Sequence, residues 1–181
     1  MTSQLVDQAN FTMPDGELIH IRPLVESDLS KLEWEGEFSH FRTLYQQHYE
    51  SYRSGSTLIW VAEDEYGQVV GQIFLLLYSR SSEIADGLHR AYLFSFRIRP
   101  EWRGQGLGSF MLQFAEDQLL MRGYSEVRLN VARANPLARH LYEIKGYRII
   151  GPDPGVWRYQ DEHGRWKQVS EPAWKMLKKI R

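Results

Sequence analysis

The segment RIRPEWRGQGLGS, residues 97–109, restricts the fold more than any other part of the chain. An apolar run, AYLFSFRI, ends at Ile98, Pro100 stops it from extending, and a stripe of helical period begins at Leu107. The loop between strand and helix therefore presents backbone N–H groups that lack an intrahelical acceptor, which makes it an anion site. Glycines at 104, 106 and 108 remove the β-carbons that would hold a ligand off the main chain, and Arg103 adds a charge-assisted donor for a phosphate oxygen. Spacing excludes two common phosphate ligands. A dinucleotide fingerprint needs G-x-G-x-x-G, but the sixth position from Gly104 is Ser109, and Glu126 begins a strand where the ribose-binding acid should end one. A nucleotide-triphosphate loop needs G-K-[ST], and no such lysine is present. Taken alone, the glycine triplet also fits a structural tight turn.

Around this loop the punctuation predicts a mixed α/β domain. LIHIR at 18–22 reads as a strand. Residues 29–52 carry a helical pattern interrupted near Gly36. Phe38, Phe41, Tyr45, Tyr49 and Tyr52 lie along one face of it, as core or as the wall of a pocket. Leu58–Glu63 and Val69–Leu77 read as an antiparallel hairpin, and residues 79–90 as a loop into the run AYLFSFRI. The helix from Leu107 carries Phe110, Met111, Phe114, Ala115 and Met121 on its apolar side and Gln113, Glu116 and Asp117 on the other, with Gly123 as a left-handed cap. EVRLNV at 126–131 is a strand. NPLARHLYEIKGY follows, with Asn135 as N-cap, Pro136 at the first helical position, a Leu137, Leu141, Ile144 stripe and Gly146 as C-terminal cap. Residues 156–181 are expected to form a hairpin turning at Asp161–Gly164 and a short terminal helix over EPAWKMLKKI. With no repeat or linker, residues 1–181 read as a single domain.

Composition narrows the function. A chain of 181 residues, 43% hydrophobic and 13% aromatic, fills one core. Lysine plus arginine (22) balance aspartate plus glutamate (23), and Lys175, Lys178, Lys179 and Arg181 make too short a cluster for a basic stripe, so nucleic acid is not an expected partner. Cysteine is absent, which removes disulfides, thiolate metal sites and a thiol nucleophile. His20, His40, His48, His140 and His163 have no ligand spacing, so no metal is expected. An acidic, turn-bearing N-terminus and no segment of membrane-spanning length predict a soluble, cytoplasmic protein without a membrane partner.

RGQGLG at 103–108, preceded by FRIRP and followed some thirty residues later by NPLARHLYEIKGY, resembles the GCN5-related N-acetyltransferase (GNAT) family. The family pattern Q/R-x-x-G-x-G/A is met by Arg103, Gly106 and Gly108. Its second pattern is met by Asn135, Ala138, Tyr142, Gly146 and Tyr147. The resemblance is strong over Tyr92–Tyr147 and weak over the C-terminal 30 residues. It implies a largely antiparallel twisted sheet of six or seven strands with four main helices, and acetyl-CoA as co-substrate. Arg103 and the amides of Gly104, Gln105, Gly106, Leu107, Gly108 and Ser109 would hold the pyrophosphate. The free backbone of Phe96, Arg97 and Ile98, on a strand splayed from its neighbour, would pair with the pantetheine arm. Asn135 caps its helix and is a second candidate contact to the coenzyme.

An amine attacking a thioester generates an oxyanion and expels a thiolate, whose departure is helped by a donor still protonated at neutral pH; tyrosine, with pKa about 10, is one. The resemblance puts Tyr142 in that role, and packing of its helix is the competing use of the same ring. The strand AYLFSFRI lacks the glutamate that many family members place there as base. By sequence proximity the candidates are Glu83, Asp86, His89, Glu35 and Glu37, or a water chain touching Tyr92 and Ser95. Without cysteine, direct attack in a ternary complex is favoured over an acyl-enzyme. The expected activity is acyl transfer to a primary amine of a small molecule or peptide, with a non-catalytic acyl-CoA-sensing module as the alternative. A homodimer is compatible with the aromatic residues at 34–52, Trp157 and Trp166, which equally suit an acceptor pocket or core.

Overall fold

The computed structural model describes residues 7–181. Period-two apolar runs become strands. In chain order these are β1 (Ala9–Thr12), β2 (Leu18–Pro23), β3 (Thr57–Glu63), β4 (Val69–Leu76), β5 (Arg90–Ile98), β6 (Glu126–Ala132), β7 (Arg148–Asp153), β8 (Val156–Gln160), β9 (Trp166–Ser170) and β10 (Ala173–Lys179). Eight of them form one sheet in the order β1-β2-β3-β4-β5-β6-β10-β7, and β8-β9 form a separate hairpin. Every neighbouring pair in the large sheet is antiparallel except β5 with β6.

Three α-helices, α1 (Arg42–Arg53), α2 (Leu107–Met121) and α3 (Pro136–Ile144), join a 3-10 helix at Glu26–Glu33 as the main helical segments. On one face of the sheet, Leu107, Met111 and Leu119 of α2 and Tyr142 of α3 pack on Ile73, Leu93 and Val127. The three α2 side chains are inaccessible to solvent, and each contributes about 2 kcal/mol of hydrophobic stabilisation. On the other face Leu24, Leu32 and Tyr45 pack on Val61 and Phe74.

The glycine caps and the Asn135 cap form as expected. Gly123 and Gly146 take φ of 86° and 89°, and Asn135 Oδ1 accepts the Ala138 N–H at 3.1 Å. The C-terminal hairpin turns where Asp161 Oδ1 accepts the His163 and Arg165 N–H groups at 3.0 and 2.9 Å.

Several expectations are corrected. Residues 173–179 are strand β10 rather than a terminal helix. Their apolar spacing suits either period, but the slot between β6 and β7 offers unpaired backbone groups on both sides, and filling it satisfies them all. The three lysines there are consequently no cluster: Lys175 lies 3.7 Å from Asp153, while Lys178 and Lys179 pair with Glu116 and Glu126. The interruption expected near Gly36 is present as left-handed backbone at Trp34, Glu35 and Gly36 (φ 46°, 56° and 102°), but the segment before it is 3-10 and only Arg42–Arg53 is α-helical. Glu116, read as solvent-facing, is buried and accepts the Tyr147 hydroxyl at 2.9 Å, whereas Leu137 and Ile144 are exposed and α3 is seated by Ala138 and Tyr142 instead. Strands β1 and β7, together with β10, enlarge the sheet beyond the six or seven strands expected. Among the described residues no helix is long and apolar enough to cross a membrane.

Candidate active site

The glycine loop does two kinds of work. Gly104 and Gly106 have φ of 71° and 96°, a left-handed backbone that costs a residue with a β-carbon about 1–2 kcal/mol. Gly108 is different: it is helical, and a β-carbon there would lie 3.2 Å from Ile98 Cδ1, so its bareness lets α2 pack on the end of β5. In this backbone the N–H groups of residues 104–109 find no acceptor among the described residues; the first bond back into the loop is Phe110 N–H to Gly106 O, at 3.0 Å. Arg103 lies beside them, its Nε donating to Ile98 O at 2.6 Å and its terminal amino groups pairing with no carboxylate among the described residues. A row of free donors at a helix N-terminus beside a free guanidinium is built for a polyanion.

Beside the loop the sheet opens. β5 and β6 pair from Arg90 with Glu126 to Leu93 with Leu129 and then separate, although β5 continues to Ile98 and β6 to Ala132. The split is sharpened by a bulge. Gln72 of β4 faces Arg97 and Phe74 faces Phe94, which leaves one extra residue on β5, with Ser95 at φ 47°. Gln72 Nε2 holds the bulge by donating to Ser95 Oγ at 2.8 Å. One inserted residue inverts the side-chain alternation. Phe96 and Ile98 join Leu93 on the α2 side, and Arg97 turns to the α1 side.

There a cleft of about 610 Å³ is enclosed by Phe41, Tyr45 and His48 of the α1 segment, Tyr92 and Phe94 of β5, and Trp157 of β8. Phe41 is its hub, with ring centroids 6.1 Å from Tyr45, 6.0 Å from Trp157 and 5.0 Å from Tyr159. Arg97, Asp153 and Glu171 are its charged lining residues. A second cavity of about 250 Å³, lined in part by Glu83 and Arg128, lies across Tyr92 and shares Tyr92, Asn130 and Asp153 with the first. Burial pushes the Tyr92 hydroxyl up to about 12 and the His48 imidazole down to about 4, so both are neutral at physiological pH. Burial, and secondarily Tyr92, raises Tyr142 well above an ordinary tyrosine; its ring sits 5.6 Å from that of Tyr147 and its hydroxyl bonds to no described residue.

The model of the Acetyltransferase (GNAT) family matches residues 26–147, which include the loop, the split strands and α3. The chain belongs to this family. Among curated proteins it is similar to a mycothiol acetyltransferase of Propionibacterium freudenreichii, 28% identical over 116 residues (61% of this chain, 35% of that protein). It is also similar to the uncharacterised N-acetyltransferase YdgE of Bacillus subtilis, 27% identical over 99 residues (53% and 58%), and to a bovine thialysine N-epsilon-acetyltransferase, 33% identical over 73 residues (39% and 43%). The chain thus spans from about a third to under two thirds of the length of these relatives. Among solved structures, a spermidine N-acetyltransferase SpeG chimera from Vibrio cholerae and hSSAT superposes with TM-score 0.66 at 22% identity, covering 89% of this chain and 95% of that one. One described as a putative phosphinothricin N-acetyltransferase gives 0.65 at 20%, covering 90% and 99%. These two establish the shared fold.

Within this GNAT fold the residues named from sequence separate cleanly. Arg103, residues 104–109 and the Phe96–Ile98 edge adjoin at the end of β5, whereas Asn135 is seen only in its capping bond. Of the base candidates, Asp86 is committed to its loop: its Oδ1 accepts the Leu88, His89 and Arg90 N–H groups at 2.8–2.9 Å, and those bonds hold the carboxyl at about 2. Glu35 is taken by a two-pronged pair with Arg99, at 2.8 and 2.9 Å. His89 and Glu37 are exposed and line neither cavity, and Glu83 lines only the smaller one. His48, Asp153 and Glu171 were missed as cleft residues because the elements bearing them are far apart in sequence. Asp153 accepts the Gly155 N–H at 2.7 Å, while the Glu171 carboxylate has no partner among the described residues. Among the described residues no group of three or more His, Asp or Glu is placed to hold a metal ion.

Proposed function

We propose that the chain transfers an acetyl or related acyl group from acetyl-CoA to a primary amine, both substrates being bound together. The observation that carries this reading is the run of acceptorless amides at 104–109 opening onto the split between β5 and β6. The residues fit the coenzyme: the loop amides and the Arg103 guanidinium suit a diphosphate, and the Phe96–Ile98 stretch, which lies beyond the last β5–β6 pairing and of which Ile98 O is held by Arg103, suits an amide-bearing arm. Bound there, the coenzyme supplies an activated acyl thioester.

The chain's own groups then move protons. Tyr142 keeps its hydroxyl proton at any physiological pH and gives it to the leaving sulfur. Glu171, the carboxylate on the cleft that has no partner among the described residues, takes the proton of the incoming ammonium. The aromatic wall excludes water and accepts an apolar acceptor body.

Calorimetry of the purified chain with acetyl-CoA, followed by mass spectrometry of an amine panel, tests the reading. Uptake of acetyl-CoA and acylated product are expected, and no uptake overturns the proposal. Uptake with no product favours a sensing module, which the absence of any carboxylate on β5 also suits.

A further inference from the structure

Most arginines held within this fold are paired with carboxylates. Arg22 binds Asp28 and Glu63, Arg42 binds Glu33, Arg90 and Arg128 share Glu126, and Arg99, two residues from Arg97, is locked on Glu35. Among the described arginines that pair with no carboxylate, Arg97 alone is drawn in from solvent; the others stand exposed. What holds it is neutral. Its Nη1 donates to the Tyr45 hydroxyl at 2.6 Å, and its guanidinium carbon lies 4.0 Å from the Phe38 ring centre and 5.2 Å from that of Phe41. Rings and one hydroxyl fix the plane of the fork without neutralising it, and they leave most of its donors free at the wall of the 610 Å³ cleft.

A partly desolvated cation aimed into a cavity calls for an anion, and its planar donors match a carboxylate bidentately. No lysine or second arginine lines the cleft, and His48 is neutral, so the single charge suits a monoanion and not a phosphate dianion. Glu171 supplies the opposite sign on the β7 to β10 side of the same space, where Asp153 is already shared with Lys175 at 3.7 Å. A cleft with one carboxylate-free cation, one unpaired carboxylate among the described residues and an aromatic wall is complementary to a zwitterion with an apolar body. A polyamine, whose charges are all positive, would leave Arg97 without an anion. We infer that the amine acceptor also carries a carboxylate, bound by Arg97, so that the substrate class is an amino acid or close analogue with an apolar or aromatic side chain. This deepens the transferase reading above and rests on it.

Two arms test it. In the first, 3-phenylpropionate, an aromatic carboxylate with no amine, is titrated calorimetrically into the wild-type chain and into Arg97→Met. Saturable binding that weakens at least tenfold in the variant supports the inference, and equal binding, or none to wild type, overturns it. In the second, acetylation of phenylalanine and of phenethylamine is compared by kcat/KM. Wild type is expected to favour phenylalanine at least tenfold. Arg97→Met should lose that preference, Arg97→Lys should keep part of it, and Tyr45→Phe, which releases the fork but keeps the ring, should reduce it about threefold. Preference for phenethylamine or spermidine, or an equal loss for both amines in Arg97→Met, overturns it. Acetyl-CoA titrated into wild type reports separately on the parent reading: failure there refutes the transferase, while the phenylpropionate arm still decides the role of Arg97.

Discussion

The two sides of β5 are built by opposite means. On the α2 side the proposed coenzyme site comes from fourteen consecutive residues, 96–109, and makes its demands on the main chain: two left-handed glycines, one bare helical position, a row of N–H groups. On the α1 side the cleft is assembled from residues at 41–48, 92–97, 130–132, 153–157 and 171–173, none of these stretches adjacent to the next in sequence. A backbone site tolerates change around it and little within it, whereas a side-chain site is open to change residue by residue. Coenzyme binding and acceptor choice should therefore respond to separate mutations.

The sharpest challenge to that separation is Tyr142→Phe. It should lower kcat by about a hundredfold or more while acetyl-CoA affinity shifts less than about twofold, by steady-state kinetics and calorimetry. Gly106→Val, which forces a β-branched residue to φ 96° beside Phe11, should do the reverse and weaken acetyl-CoA by about tenfold to a hundredfold. Equal damage to both parameters in both variants would erase the division.

Gly155→Ala attacks the cleft through its frame. A β-carbon there would stand 1.7 Å from Glu171 O on backbone already at φ 64°, so a loss of about 2–3 kcal/mol in denaturant unfolding is expected. His48 probes the same side through pH. Its folded-state value of about 4 lies below the usual 6.5, so the unfolded chain binds the proton first. Its contribution is complete above pH 6.5, declines as pH falls toward 4 and levels off below. Melting curves of wild type should lose on the order of 2 kcal/mol across that window relative to His48→Gln. The mildest change, Trp157→Ala, should raise acceptor KM several-fold without moving acetyl-CoA affinity.

Legibility in the sequence followed the same divide. Glycine positions, Pro100 and the Asn135–Pro136 cap are local rules, and the loop, α2 and α3 could be read from them. Strand β10 could not, because Ala173–Lys179 suits either period and only the vacant slot between β6 and β7 selects one. The bulge left no written sign, since the residue at φ 47° is a serine and not a glycine, and with it went the facing of Arg97. Proximity in sequence pointed to Glu35 and Asp86 as bases, yet both are occupied by nearer partners, Arg99 and a row of loop amides. Glu171 and Asp153 reach the cleft only through pairings of the last thirty residues, where family resemblance was faintest.

The β8–β9 hairpin belongs to neither half of the main sheet. It meets α1 through Thr43 Oγ1 on Asp161 O at 3.0 Å and through the rings around Phe41, and its two ends converge where Glu171 N–H bonds Gly155 O at 3.0 Å. A ribbon attached at its stem and resting on one helix is exchangeable as a cassette. Grafting a different ribbon between residues 155 and 171 offers a route to new acceptors with the pyrophosphate cradle left as it stands.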